Sequence, residues 1–104
     1  MEIYALNNAT GTFEGDDSLN SLLGRTVVLD TAGSIIFLGT LLEVKPAGFW
    51  LETADLRDKT EGHVSKERYV CEAAMNGVVS NRRRLFVFRH VVVSISALDD
   101  VVVD

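Results

Sequence analysis

Residues 35–44 read IIFLGTLLEV, an almost wholly apolar run with a glycine in its middle. A glycine inside a strand weakens it and marks a bend or a close backbone approach. A long strand bent at Gly39 can belong to both halves of a small, strongly curved barrel. The flanking segments agree. RTVVLD (25–30) is a short β-branched strand, TAGS (31–34) a turn, and KPAG (45–48) a second turn in which Pro46 presets φ. FWLETADL (49–56) is a third strand that alternates only partly, so both of its faces are expected to be half covered.

The polar connection RDKTEGHV (57–64) leads to the clearest helix, SKERYVCEAAMNG (65–77). Ser65 is a natural N-cap, Glu67 suits the positive helix start, and Asn76-Gly77 is a natural stop. Val70, Cys71, Ala74, Met75 and Val78 form its apolar stripe. Two strands close the chain, RRLFVF (83–88) and VVVSISAL (91–98), with only Arg89 and His90 between them. That is too short for an ordinary hairpin loop, so a continuous bent segment is expected there. Before the first strand, DDSLNSLLG (16–24) reads as a short helix capped by Asp17 or Ser18 and ended by Gly24. Residues 1–16 read as a flexible N-terminal tail in which IYAL could add a strand, and 101–104 as a short acidic end. Five short antiparallel strands with tight turns predict a mainly β, five-stranded, strongly bent barrel over residues 17–100, with a short N-terminal helix and an inserted helix.

The 104 residues suffice for one domain with a single modest core. No apolar run approaches the ~20 residues needed to cross a bilayer, and the N-terminus lacks the pattern of a secretory signal. The lone Cys71 cannot form an internal disulfide, which points to a reducing, cytoplasmic setting. The formal net charge of -5 makes the chain a poor non-specific binder of nucleic acid. Its positive charge is concentrated near the end. Residues 1–55 carry a net of -6 and residues 56–104 a net of +1, with Arg82, Arg83 and Arg84 adjacent to one another. Three readings of these arginines stay open: they solubilise an apolar strand, pair with acidic residues on a neighbouring subunit, or grip phosphate.

The order of elements, together with VVLDTAGSIIFLGTLLEVKPAGFWLETA (27–54) and LFVFRHVVVSISAL (85–98), resembles the Sm-like (LSm) family. Gly39-Thr40-Leu41 matches the glycine–any–leucine centre of the family's first motif, and Val44 the apolar residue after it. The resemblance implies an N-terminal helix and a bent five-stranded barrel. It also implies a homo-oligomeric ring of about five to seven subunits, in which strand four of one subunit pairs with strand five of the next. Leu85, Val87, Val91 and Val93 are then expected at the subunit interface, with Arg82, Arg83 and Arg84 at phosphate or at one end of the seam. The family binds uridine-rich or adenine-rich RNA. Its usual pocket uses an Asp and an Asn in the turn between strands two and three, then an Arg-Gly pair between strands four and five. Here those positions hold Lys45, Gly48, Arg89 and His90, so only the arginine is retained. An RNA site would thus involve Lys45, Gly48, Phe49, Arg89 and His90, with Phe49 and His90 as flat rings able to stack bases.

Catalysis finds little footing. Asp58, His63 and Ser65 lie close in sequence, but Ser65 is explained as a helix cap. Cys71, His63 and His90 have no recognised metal-ligand spacing. No cofactor, metal or membrane partner is expected. The two function classes are an RNA-binding ring and an assembly module that keeps the subunit interface without RNA.

Overall fold

A computed structural model describes residues 17–60 and 65–103. A short turn of helix, α1 (Asp17–Asn20), runs into a tight turn at Gly24, whose φ of 80° suits glycine. The predicted tail and the first residue of the predicted N-terminal helix lie outside the described residues. Five strands follow: β1 (Thr26–Asp30), β2 (Ile35–Lys45), β3 (Gly48–Asp58), β4 (Arg82–Phe88) and β5 (Ser94–Ala97), with α2 (Lys66–Asn76) inserted between β3 and β4. They form one antiparallel sheet in the order β4-β3-β2-β1-β5.

Laid flat, that order would put β4 and β5 about 19 Å apart, four strand spacings. Yet Val87 of β4 and Ile95 of β5 pack into one core with Val27, Phe37, Leu41, Phe49 and Leu51. The sheet is therefore rolled, with this cluster inside. A short connection suffices between its two edges. Arg89–Val91 form a single 3-10 turn, and Val93 then donates its N–H to the Asp30 carbonyl, 2.8 Å away. This corrects the expected bounds of the last strand. Val91, Val92 and Val93 are not part of β5, because the turn closed by Val92 N–H on the Arg89 carbonyl takes up the chain first.

The roll has a visible cause. β2 and β3 pair in register from Ile35↔Asp58 to Leu38↔Asp55, but the next pair is Thr40↔Glu52. One residue of β2, Gly39, thus faces two of β3, Thr53 and Ala54, and Thr53 takes a left-handed φ of 50°. A second irregularity, between Leu41↔Leu51 and Glu43↔Trp50, leaves Leu42 as the extra residue on β2 and restores the register. Bulges increase local twist and bend. At Gly39 the bend brings backbones together: an added Cβ would lie 3.1 Å from both Ala54 Cα and Cβ and 3.2 Å from Leu51 Cβ.

The outer face carries a second core. Val70 and Ala73 of α2 pack on Val28, Ile36 and Leu38, with Leu98 from a closing 3-10 turn, Leu98–Asp100. This explains why IIFL is apolar without alternation: Ile36 and Leu38 face the helix while Phe37 faces the interior. The ends of α2 follow the sequence expectation. The Ser65 hydroxyl accepts from Arg68 N–H, and Gly77, at φ 94°, donates its N–H to the Ala73 carbonyl.

Candidate nucleic-acid interface

Four of the five residues expected at an RNA site meet around the β2–β3 turn. Arg89 leaves the end of β4 and folds back over that turn. Its backbone N–H donates to the Ala47 carbonyl (2.8 Å), Nη2 to the Lys45 carbonyl (2.8 Å) and Nε to the Pro46 carbonyl (3.2 Å). Its guanidinium lies 4.9 Å from the centre of the Phe49 ring, a cation–π stack. Phe49 is only 3% exposed and is part of the inner core, so its ring serves Arg89 rather than an incoming base. Gly48 is buried where β3 meets β4, and a Cβ there would overlap the Val87 carbonyl oxygen. Lys45 is exposed and pairs with Glu43 at 3.2 Å. Beside Arg89 lies a depression of about 180 Å³, lined by Leu19, Phe49, Val92, Val93, Ser94 and Ile95.

His90 does not join them. Its exposed ring stands 6.1 Å from the Phe88 ring. Among the expected interface residues, Val87 is buried in the inner core and Leu85 packs against it, while Val91 and Val93 are exposed. Their side chains therefore divide between the interior of the subunit and its surface.

The arginine cluster is exposed. Arg82 donates to the Asn81 carbonyl at 2.9 Å, and Arg84 stacks 5.0 Å from the Trp50 ring centre. Among the described ion pairs none involves Arg82, Arg83 or Arg84. Trp50, Phe86, Phe88 and His90 form a chain of ring contacts that the sequence reading left out. Trp50 and Phe86 are 5.1 Å apart edge-on, and Phe86 and Phe88 again 5.1 Å edge-on. The signal was present as the alternation Arg84, Phe86, Phe88, His90, which a reading of RRLFVF as simply apolar passes over.

A second unpredicted group lies under α2. Asp55, 1% exposed, accepts on Oδ2 from the Tyr69 hydroxyl and from Arg57 Nε at 2.9 Å, and Oδ1 has no hydrogen-bond partner among the described residues. Burial and the neighbouring carboxylate push the Tyr69 hydroxyl well above the usual tyrosine range, and the Asp55 hydrogen bond raises the Arg57 guanidinium. The group opens on a cleft of about 310 Å³ that also meets Lys59, Glu72 and Asn76. Among the described residues no set of three His, Cys, Asp or Glu side chains could hold a metal ion. His63 lies outside them. No described helix is long and apolar enough to cross a membrane.

No family model matches the sequence, and no curated protein matches it significantly. Solved structures do match. A Pyrococcus abyssii Sm protein, solved in complex with a uridine heptamer, superposes with a TM-score of 0.55 at 15% identity, over 81% of this chain and 97% of that one. A novel Sm-like archaeal protein from Pyrobaculum aerophilum gives 0.50 at 21% identity, over 78% of this chain but only 48% of that one. The strand order, the bent second strand and these two superpositions together establish that this chain has the Sm-like fold.

Proposed function

We propose that the chain is an Sm-like module that assembles into a homo-oligomeric ring of about five to seven subunits and binds single-stranded RNA in the cytoplasm, acting by binding rather than catalysis. The observation that carries this reading is the pair of unpaired edges. Among the described residues β4 pairs only with β3, and β5 only with β1. Open edges invite uncontrolled association. Head-to-tail pairing of β4 with the β5 of a neighbour satisfies both, and a closed ring leaves none free. Support for RNA comes from the uridine heptamer held by the Pyrococcus Sm protein and from the arginine at the β4–β5 junction.

A second reading, an assembly module without RNA, is favoured by one observation: Arg89 is already engaged by the Lys45 and Pro46 carbonyl oxygens and by Phe49. Native mass spectrometry of the untagged protein tests the ring, and a monomer at micromolar concentration would refute it. Titration with oligo(U) and oligo(A) at two salt concentrations tests RNA. Under the first reading binding is salt-sensitive and Arg89→Ala weakens it. Absence of binding to either oligomer selects the second.

A further inference from the structure

The outer face of β4 carries a strip that the site around Arg89 does not use. Inward residues of this strand are Leu85 and Val87, set opposite Leu51 and Phe49. Phe86 and Phe88 alternate with them and face outward, set opposite Trp50 and Gly48. Phe88 is 55% exposed. Trp50, across from Phe86 in β3, and Phe86, Phe88 and His90, which begins the turn after β4, form a row of ring contacts spaced 5.1, 5.1 and 6.1 Å. Arg84 extends the row by lying over Trp50. Glu52, across from Arg84, and Glu43, across from Trp50 and paired with Lys45, bound the strip on its other side.

Two properties coincide here. Phe86 and Phe88 hold successive outward positions of β4, about 6.8 Å apart along an extended strand, with Phe88 exposed and Phe86, like Trp50 beside it, half-buried. Arg84 adjoins them, next in sequence to Arg82 and Arg83, and none of the three has a carboxylate among the described ion pairs, in a chain whose net charge is -5. A ligand that fits must present flat apolar faces and a negative backbone on one flexible chain. Single-stranded nucleic acid does so: bases stack on aromatic and guanidinium planes without sequence preference, while arginines track the phosphates. We infer that the Arg84–Trp50–Phe86–Phe88 strip is a second binding surface for single-stranded RNA, separate from the Arg89 depression. The inference rests on the reading that the protein binds RNA at all. In the proposed ring the strip lies beside the outward Ser94 and Ser96 of the neighbouring β5.

Trp50 is the sole tryptophan, so its fluorescence reports on this strip. The test titrates the full chain with a labelled oligo(U) dodecamer, following label anisotropy and Trp50 emission together, for wild type, Phe88→Ala, Arg84→Gln and Arg89→Ala. Thermal melting and native mass spectrometry check each variant's fold and assembly. The expected result is Trp50 quenching that tracks binding, and affinity reduced about tenfold in Phe88→Ala and in Arg84→Gln at unchanged assembly size. Binding without Trp50 quenching, undiminished in Phe88→Ala and Arg84→Gln but lost in Arg89→Ala, overturns this surface and leaves the Arg89 site standing. Loss of assembly in Phe88→Ala with unchanged RNA affinity makes the strip a subunit contact and overturns it too. No binding by the wild type removes both.

Discussion

Replacing Gly39 by a β-branched residue probes the bend directly. An alanine Cβ there meets Ala54 Cα and Cβ at 3.1 Å and Leu51 Cβ at 3.2 Å. Both 3.1 Å neighbours belong to Ala54, whose other side is in register with Arg82 of β4. Relief by a swinging side chain is not available. Overpacking of this kind costs about 1–3 kcal/mol. Against it, removing a glycine from the unfolded chain favours folding by about 0.4–1 kcal/mol. Gly39→Ala should therefore destabilise by about 1 kcal/mol, and Gly39→Val, with two more methyl groups in the same space, by about 3 kcal/mol. Urea unfolding followed by Trp50 fluorescence at fixed protein concentration measures both, with an unchanged m-value as the check on two-state behaviour. Ala54→Gly in the Gly39→Ala background removes one of the two 3.1 Å contacts. The pair should then show a favourable coupling of at least ~0.5 kcal/mol. A Gly39→Val protein as stable as wild type, or a cycle with no coupling, would refute the account of the bend.

Two further outcomes are expected. Tyr69→Phe deletes a hydrogen bond to the buried Asp55 carboxylate and should cost about 1.5–3 kcal/mol at neutral pH. Because the folded state raises the Tyr69 pKa above its usual value near 10, its contribution is fully present below pH 10 and lost as pH rises through the folded pKa. Wild type should thus lose stability in alkaline urea melts above about pH 10, with the Tyr69→Phe slope flatter. Thr53→Gly should stabilise by about 0.5–1 kcal/mol, since a left-handed φ costs a β-branched residue about 1–2 kcal/mol and glycine's extra entropy offsets part of it. A lower urea midpoint for Thr53→Gly would contradict this.

Much of the fold was legible because it is written in local chemistry. Ser65 and Gly77 bound α2 where a cap and a stop were read, and the Pro46 turn closes the β2–β3 hairpin. Gly39 marked the bend. The inner and outer faces of β3 were not legible. Counting by twos from Phe49 and Leu51 puts Thr53 and Asp55 inside, but the bulge at Thr53 changes the count. Ala54 then joins the inner core, and Asp55 turns out beneath α2 to meet Tyr69. The Asp55–Tyr69–Arg57 group was hidden for the same reason, since its members share a face only after that change. At the candidate site, Arg89 was expected from the resemblance, which puts an arginine between strands four and five. Its engagement with the Lys45 and Pro46 carbonyl oxygens depends on tertiary geometry, which no local pattern carries. The last strand was read too long because a valine run looks the same in a strand as at the end of a 3-10 turn and in the link after it, where Val91, Val92 and Val93 lie.

The two irregularities between β2 and β3 behave like a frameshift and its suppressor. The extra residue on β3 moves the pairing by one step, and the extra residue on β2, three positions past Gly39, moves it back. Only the short stretch Thr40–Leu41 against Leu51–Glu52 is read out of frame, and that stretch lies at the bend. Losing Thr53 alone would leave the other shift uncorrected, forcing one end of the hairpin to slip or to turn its apolar side outward. Losing Leu42 alone would do the same from the other strand. Losing both would restore an unbroken ladder and remove the devices that bend it. Insertions and deletions in this hairpin are therefore coupled across strands, and a change tolerated in one depends on what its partner has already undergone.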